Sequence, residues 1–173
     1  PRAKLRPSSP RLAIARRKSY PPERVRIEKA DAFAPETVAG SFTAGFAGFW
    51  WSHLRRERVG VFLDALHRRL GPVARVVAID NRYFEGSSTP VARIDAAGNA
   101  IQRRRLADGS EHEVVKNFPS PGELRATLAG IADCVAVREL TYFWYLSYKV
   151  ADAPLAQPSD PGKDPGPSSG SRR

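Results

Sequence analysis

The sequence has no methionine and a single cysteine, Cys134, among its 173 residues. One thiol excludes an internal disulfide and fits a reducing, cytoplasmic compartment. Only three histidines accompany it, and no Cys/His spacing suggests a metal site. No glycine precedes Gly40, so the front of the chain holds no glycine-rich phosphate loop. Neither a P-loop nor a serine-elbow pattern occurs anywhere. No apolar run approaches the roughly 18 residues that a membrane span needs, and no signal-peptide core precedes the domain. Residue 1 is proline, so the natural start is expected to be processed or missing.

What is present is basic. The formal net charge is +10, and most of it sits in residues 1–26, which carry nine Lys/Arg against the single acid Glu23. The body from 27 to 150 is nearly balanced. Such an arm suits nucleic acid or anionic lipid. It lacks interleaved aromatics to stack on bases, so a solvated leader is the favoured reading and a nucleic-acid contact the less favoured one.

Periodicity divides the chain into a basic, partly disordered arm with a short helix (1–24), an α/β domain (25–150) and a disordered Pro/Gly/Ser-rich tail (151–173). Within the arm, residues 11–18 read as the end of a helix. Residues 25–30 alternate, which predicts a strand with Val25 and Ile27 on one face. A second strand is expected over 42–50. Val59, Phe62, Leu63, Leu66 and Leu70 form one apolar stripe on a helix over about 55–70, stopped by Gly71-Pro72. Residues 73–79 are almost continuously apolar, as in a strand covered on both faces, with Asp80 at its carboxyl end. A polar insert, about 81–118, predicts a three-stranded meander (91–95, 100–106, 111–116) with turns at Gly98-Asn99 and Asp108-Gly109. A helix over 122–132, with Ser120 near its cap, and strands at 135–139 and 142–150 complete the domain. The last two strands lie too close for a helical crossover and must pair antiparallel.

Residues 44–53 (Ala-Gly-Phe-Ala-Gly-Phe-Trp-Trp-Ser-His) are the most informative stretch. An apolar strand ending in flat side chains before a helix is how an open α/β sheet builds a ligand crevice. Phe49, Trp50 and Trp51 are therefore either a pocket wall or plain core. His53 is a general-base candidate, or a cap or solvated side chain. Asp31, just past an expected strand, is a binding carboxylate or a loop cap. Asn81, Arg82 and Tyr83 follow a strand end that substrate groups reach. Tyr83 either orients a nucleophile or packs the meander. Lys116 and Asn117 either close over a substrate or end a strand. His67, among arginines, reads as a solvated surface residue. His112 carries no distinctive signal, and Cys134 reads as a small buried hydrophobe rather than a nucleophile.

From about Leu12 to Val150 the chain resembles the C-terminal two-thirds of class I S-adenosylmethionine-dependent methyltransferases. Ala30-Asp31-Ala32-Phe33 resembles the family's acidic loop after its third strand. That resemblance implies that Asp31 accepts from the adenine amino group and that the Ala32 amide meets the ring. Phe46 to His53 resembles the loop facing the cofactor's methionine end, which implies cofactor contacts from Phe49 and Trp50. Leu70 to Val77 resembles the turn into the fifth strand, and Tyr142 to Tyr148 the antiparallel seventh. Asp80 to Pro90 and Lys116-Asn117-Phe118-Pro119 resemble a bacterial subset of these enzymes. The family's first strand, its glycine-rich loop and the ribose-binding acid have no counterpart in the sequence, so a shortened chain is expected.

The implied fold is α/β: an incomplete Rossmann-like sheet, mostly parallel with an antiparallel last strand, plus the inserted meander. The implied activity is methyl transfer from S-adenosyl-L-methionine to a small-molecule acceptor. Its expected catalytic residues are His53 and Tyr83, and its substrate-binding residues Trp51, Asn81, Arg82, Lys116 and Asn117. The competing expectation is a non-catalytic remnant of the fold that acts, if at all, as a binding module or touches nucleic acid through its basic arm. Missing strands would leave a sheet edge open, so poor solubility or a homodimer through that edge is expected as well.

Overall fold

A computed structural model describes residues 10–18 and 20–152. The first nine residues of the basic arm and nearly all of the expected tail lie outside the described residues. After a short helix α1 (Pro10–Arg16), a strand β1 (Ala44–Gly48) leads through a 3-10 turn at Trp51–His53 into helix α2 (Arg56–Leu70). Strand β2 (Arg75–Asn81) precedes the insert, which consists of β3 (Arg93–Ile94), β4 (Ala100–Arg105) and β5 (Glu111–Val115). Helix α3 (Pro121–Leu128) and strands β6 (Ala132–Glu139) and β7 (Phe143–Val150) follow.

The main sheet has the order β1-β2-β7-β6. β1 and β2 are parallel, and β7 runs antiparallel to both β2 and β6. Three strands thus point one way and β7 points against them, which is the arrangement expected from the sequence. The insert forms its own antiparallel sheet, β3-β4-β5.

One face of the main sheet carries the core. Val76 and Ala78 of β2, Trp144, Leu146 and Tyr148 of β7, Phe62 and Leu63 of α2, and Leu124 and Leu128 of α3 form one cluster. Leu124, Leu128 and Leu146 are completely buried. Gly45 of β1 lies against α2: a Cβ there would sit 3.0 Å from Leu70 Cδ1, so a side chain would require the Leu70 side chain to shift. The opposite face is only half covered. Val77 and Ile79 are half-buried and Phe46 is 72% exposed, so the doubly covered strand expected at 73–79 is instead buried on one side.

The helix ends follow their local chemistry. Gly71 takes φ 81 and its N–H bonds to the His67 carbonyl, a left-handed stop that glycine adopts without strain. At the start of α3, Ser120 and Glu123 make a reciprocal capping box. Its Glu123 carboxyl is held down to about 2, first by the Ser120 N–H and then by Arg56.

Three further expectations fail. Residues 25–30 form no strand. Their alternation is real, but no described strand lies beside them, and a strand without a partner does not persist. Cys134 is exposed, with φ 53, at a register shift of β6 between Asp133 and Ala136; the bulge turns its side chain out of the expected packing. His67 is 2% exposed, not solvated. Its Nε2 lies 3.0 Å from the Tyr148 hydroxyl, with the rings edge-on.

Burial pushes the His67 pKa down and the Tyr148 pKa up. Near pH 6.5, the ordinary imidazole value, the unfolded chain therefore takes up protons that the folded chain resists. Stability is expected to be full above that pH and to fall as the pH drops through the folded value. Thermal melts across this range check it: His67→Gln should flatten the acid-side decline, and an unchanged slope would contradict the assignment.

Candidate functional site

The carboxyl ends of β1 and β2 open onto the segments that follow them, Phe49–His53 and Asn81–Tyr83, with the end of β5 alongside. At their centre is a buried polar hub. Asp80, completely buried, accepts from the Ser52 amide at 2.9 Å and the Ser52 hydroxyl at 2.8 Å. Lys116, with its side chain only 6% exposed, sits 3.1 Å from Asp80. Its ammonium also donates to Ser52 Oγ at 2.6 Å and Asn81 Oδ1 at 2.9 Å. Three N–H groups meet three acceptors, the full donor capacity of an ammonium. Next to it, Asn117 accepts from the Ala100 amide and donates to the Leu54 carbonyl and Asn99 Oδ1.

The polar atoms of Lys116 and Asn117 fasten the insert to the main sheet, and Lys116 also lies on the wall of a cavity beside the end of β2. Trp51 is 5% exposed and packs edge-on against Trp144 at 6.0 Å, so the second tryptophan of the pair is part of the core. The chain turns into the 3-10 segment there, and one ring goes in while the other stays out.

Phe49 is 51% exposed at φ 54 and meets Phe143 edge-on. Trp50, 36% exposed, tilts against Phe62. Together with Ala32, Phe46 and Gly48, Trp50 lines a cavity of about 310 Å³. The structure thus brings Ala32 and Trp50 to one slot. Asp31 is exposed at the turn before it, where Oδ1 accepts from the Phe33 amide at 2.9 Å. Only one of the two carboxylate oxygens is committed there among the described residues.

His53 Nδ1 is 2.9 Å from the Val115 carbonyl. A carbonyl only accepts, so Nδ1 carries the proton and Nε2 of the neutral ring keeps its lone pair. Burial, and after it the Lys116 ammonium, holds the His53 pKa below its ordinary value. Arg82 is pinned by the Leu140 carbonyl at 2.7 Å and by Glu139 at 2.9 Å. Tyr83 is half-exposed and edge-on to Phe118.

A second cavity of about 330 Å³ opens between the end of β2 and the insert, and Asn81, Arg82, Gln102 and Arg104 lie on its wall. Ser52, Asn99, Gln102 and Arg104 were not singled out from the sequence. Asn99 is completely buried, and its Oδ1 accepts from the Arg56 amide at 2.7 Å. It caps α2 from 43 residues away, because Arg55 at the cap position provides no side-chain bond. A turn dipeptide was the only signal at that position.

Among the described residues no helix is long and apolar enough to cross a membrane, and no cluster of three or more His, Cys, Asp or Glu could hold a metal ion.

No family model matches the chain, and no curated protein matches it. Solved structures do. The chain is similar to DhpI in its complex with SAH, at 23% identity and a TM-score of 0.55, over 73% of this chain and 55% of that one. It is similar to the crystal structure of a "putative S-adenosylmethionine dependent methyltransferase" from Listeria monocytogenes, at 11% identity and a TM-score of 0.55, over 82% of this chain and 76% of that one. The glycopeptide N-methyltransferase MtfA with (S)-adenosyl-L-homocysteine gives 14% identity and a TM-score of 0.52, over 81% and 66%. The described residues therefore have the α/β fold of S-adenosylmethionine-dependent methyltransferases.

Proposed function

We propose that the chain serves methyl transfer from S-adenosyl-L-methionine to a small-molecule acceptor. The observation that carries this reading is the slot that Ala32 and Trp50 share beside Asp31. An adenine ring is flat and largely apolar on its faces, with an amino group at its edge. The slot has aromatic and small apolar walls, and Asp31, next to Ala32 in the chain, keeps one carboxylate oxygen uncommitted among the described residues. The residues present fit that end of the cofactor. Asp31 would take the amino group, the Ala32 amide would meet the ring edge, and Trp50 and Phe49 would wall the pocket toward the methionine end.

When bound, S-adenosylmethionine supplies a methyl group on a positively charged sulfur. The chain's own work is positioning and exclusion of water. Phe49 and Trp50 offer apolar surface for that purpose. His53 Nε2, unprotonated at neutral pH because its pKa is lowered, is available to take a proton from an acceptor. Tyr83, which follows Asn81 and Arg82 after the end of β2, would orient the acceptor.

Calorimetric titration of S-adenosylhomocysteine into the chain and into Asp31→Ala tests this. Saturable binding is expected, weakened about tenfold in the variant by loss of a charge-assisted hydrogen bond. A folded chain that binds none of it would overturn the reading and leave a non-catalytic form of the fold.

A further inference from the structure

We infer that the cavity between the end of β2 and the insert is an anion site, built to hold a carboxylate or phosphate-type group on the acceptor, with Arg104 as its principal ligand. Of the three cations on the wall, Lys116 has all three donors occupied, and Arg82 is held by Glu139 and the Leu140 carbonyl. Arg104 differs. On the insert Arg93 pairs with Glu113 and Arg103 with Glu111, while among the described residues no carboxylate lies within ion-pair distance of Arg104 or Arg105, and of these two only Arg104 lines the cavity.

Gln102, 1% exposed, accepts from Arg104 Nη2 at 3.1 Å. A buried amide therefore fixes one edge of the guanidinium, while Nε and Nη1 have no partner among the described residues. Across the cavity Asn81 is oriented in the same way. Its Oδ1 accepts from Lys116, which leaves Nδ2 as an unspent donor. Ser88 Oγ accepts from the Phe84 amide, so its O–H is free to donate.

No Asp or Glu lines this cavity. Unspent donors facing a wall without carboxylates select a ligand that offers only acceptors, and a guanidinium edge matches two oxygens of one planar or tetrahedral anion. The Arg104 charge is also among the influences that lower the His53 pKa, so the anion site and the candidate base share one electrostatic neighbourhood. The inference depends on the methyl-transfer reading only in calling the bound anion part of an acceptor.

The test is titration of the full chain with inorganic phosphate and, separately, acetate, followed by amide chemical shifts. Arg104→Gln and Arg103→Gln are the two variants. Saturable shifts in the millimolar range are expected at Asn81, Ser88 and Arg104, with phosphate or acetate preferred according to the anion's geometry. Arg104→Gln should weaken binding about tenfold, and Arg103→Gln, one residue along and in its own ion pair, should leave it unchanged. Equal loss in both variants would reduce the effect to the chain's overall positive charge and overturn the site. So would the absence of saturable binding of either anion. S-adenosylhomocysteine binding in the same samples separates the two claims: anion binding without it keeps the site and discards the methyltransferase reading, and the converse discards only the site.

Discussion

Lys116→Met is expected to destabilise the fold by about 3–5 kcal/mol, the usual cost of removing one partner from a buried ion pair. The reason is what stays behind. Asp80 is completely buried and the Lys116 side chain only 6% exposed, so methionine would leave a carboxylate in the interior without its cation. The Ser52 amide and hydroxyl would still donate to it, which keeps the loss short of a wholly orphaned charge. Asn81 Oδ1 would also lose its donor, and the end of β2 would loosen where the candidate acceptor site begins. Adding Asp80→Asn to Lys116→Met should recover a large part of the loss, because no net charge then remains buried. Urea unfolding of the parent and of these two variants checks this; a single variant within about 1 kcal/mol of the parent, the range of exposed pairs, would show that the hub is hydrated.

Asn117→Ala is expected to cost about 3 kcal/mol, because a buried polar atom left without a partner loses about 1–3 kcal/mol and this truncation orphans more than one. Asn117 is 5% exposed. Its side chain satisfies the Ala100 amide at 2.8 Å, the Leu54 carbonyl at 2.8 Å and Asn99 Oδ1 at 3.0 Å. Those partners belong to β4, to the turn before α2 and to the turn that caps α2. One side chain therefore joins the insert to the helix that follows β1. Hydrogen exchange should show faster exchange at Ala100 and across β4 and β5, with β7 still protected. Uniform destabilisation, with the insert no faster than β7, would mean that the insert is held by packing instead.

The parts of this architecture that depend on nearby residues are legible in the sequence. The stripe from Val59 to Leu70 specifies α2, Gly71 stops it, and Ser120 with Glu123 starts α3. The closeness of β6 and β7 in the chain forces their antiparallel pairing. What is hidden depends on residues far apart. Ser52, Asp80 and Lys116 are separated by 28 and 36 residues, and nothing near any one of them signals the other two. Lys116 reads from the sequence as either a substrate contact or the end of a strand; its burial follows from a carboxylate on another strand.

His67 shows the same limit in reverse. Its arginine neighbours in sequence point to solvent, while the helical turn carries its ring toward Tyr148 on β7. Val25 to Ile27 has the alternation of a strand, but alternation cannot provide a strand to pair with. Trp50 and Trp51 could not be separated by composition. Only the 3-10 turn between β1 and α2 decides which ring enters the core and which walls the slot.

The proposed cofactor site has its adenosine end formed by the turn after β1 and the Asp31 loop together, and amide and indole chemical shifts of the chain during titration with S-adenosylhomocysteine test this. Saturable shifts are expected at Asp31, Ala32, Gly48, Phe49 and the Trp50 indole, with the Trp51 and Trp144 indoles moving little. A folded chain whose shifts stay unchanged, or change only around the insert, would contradict it.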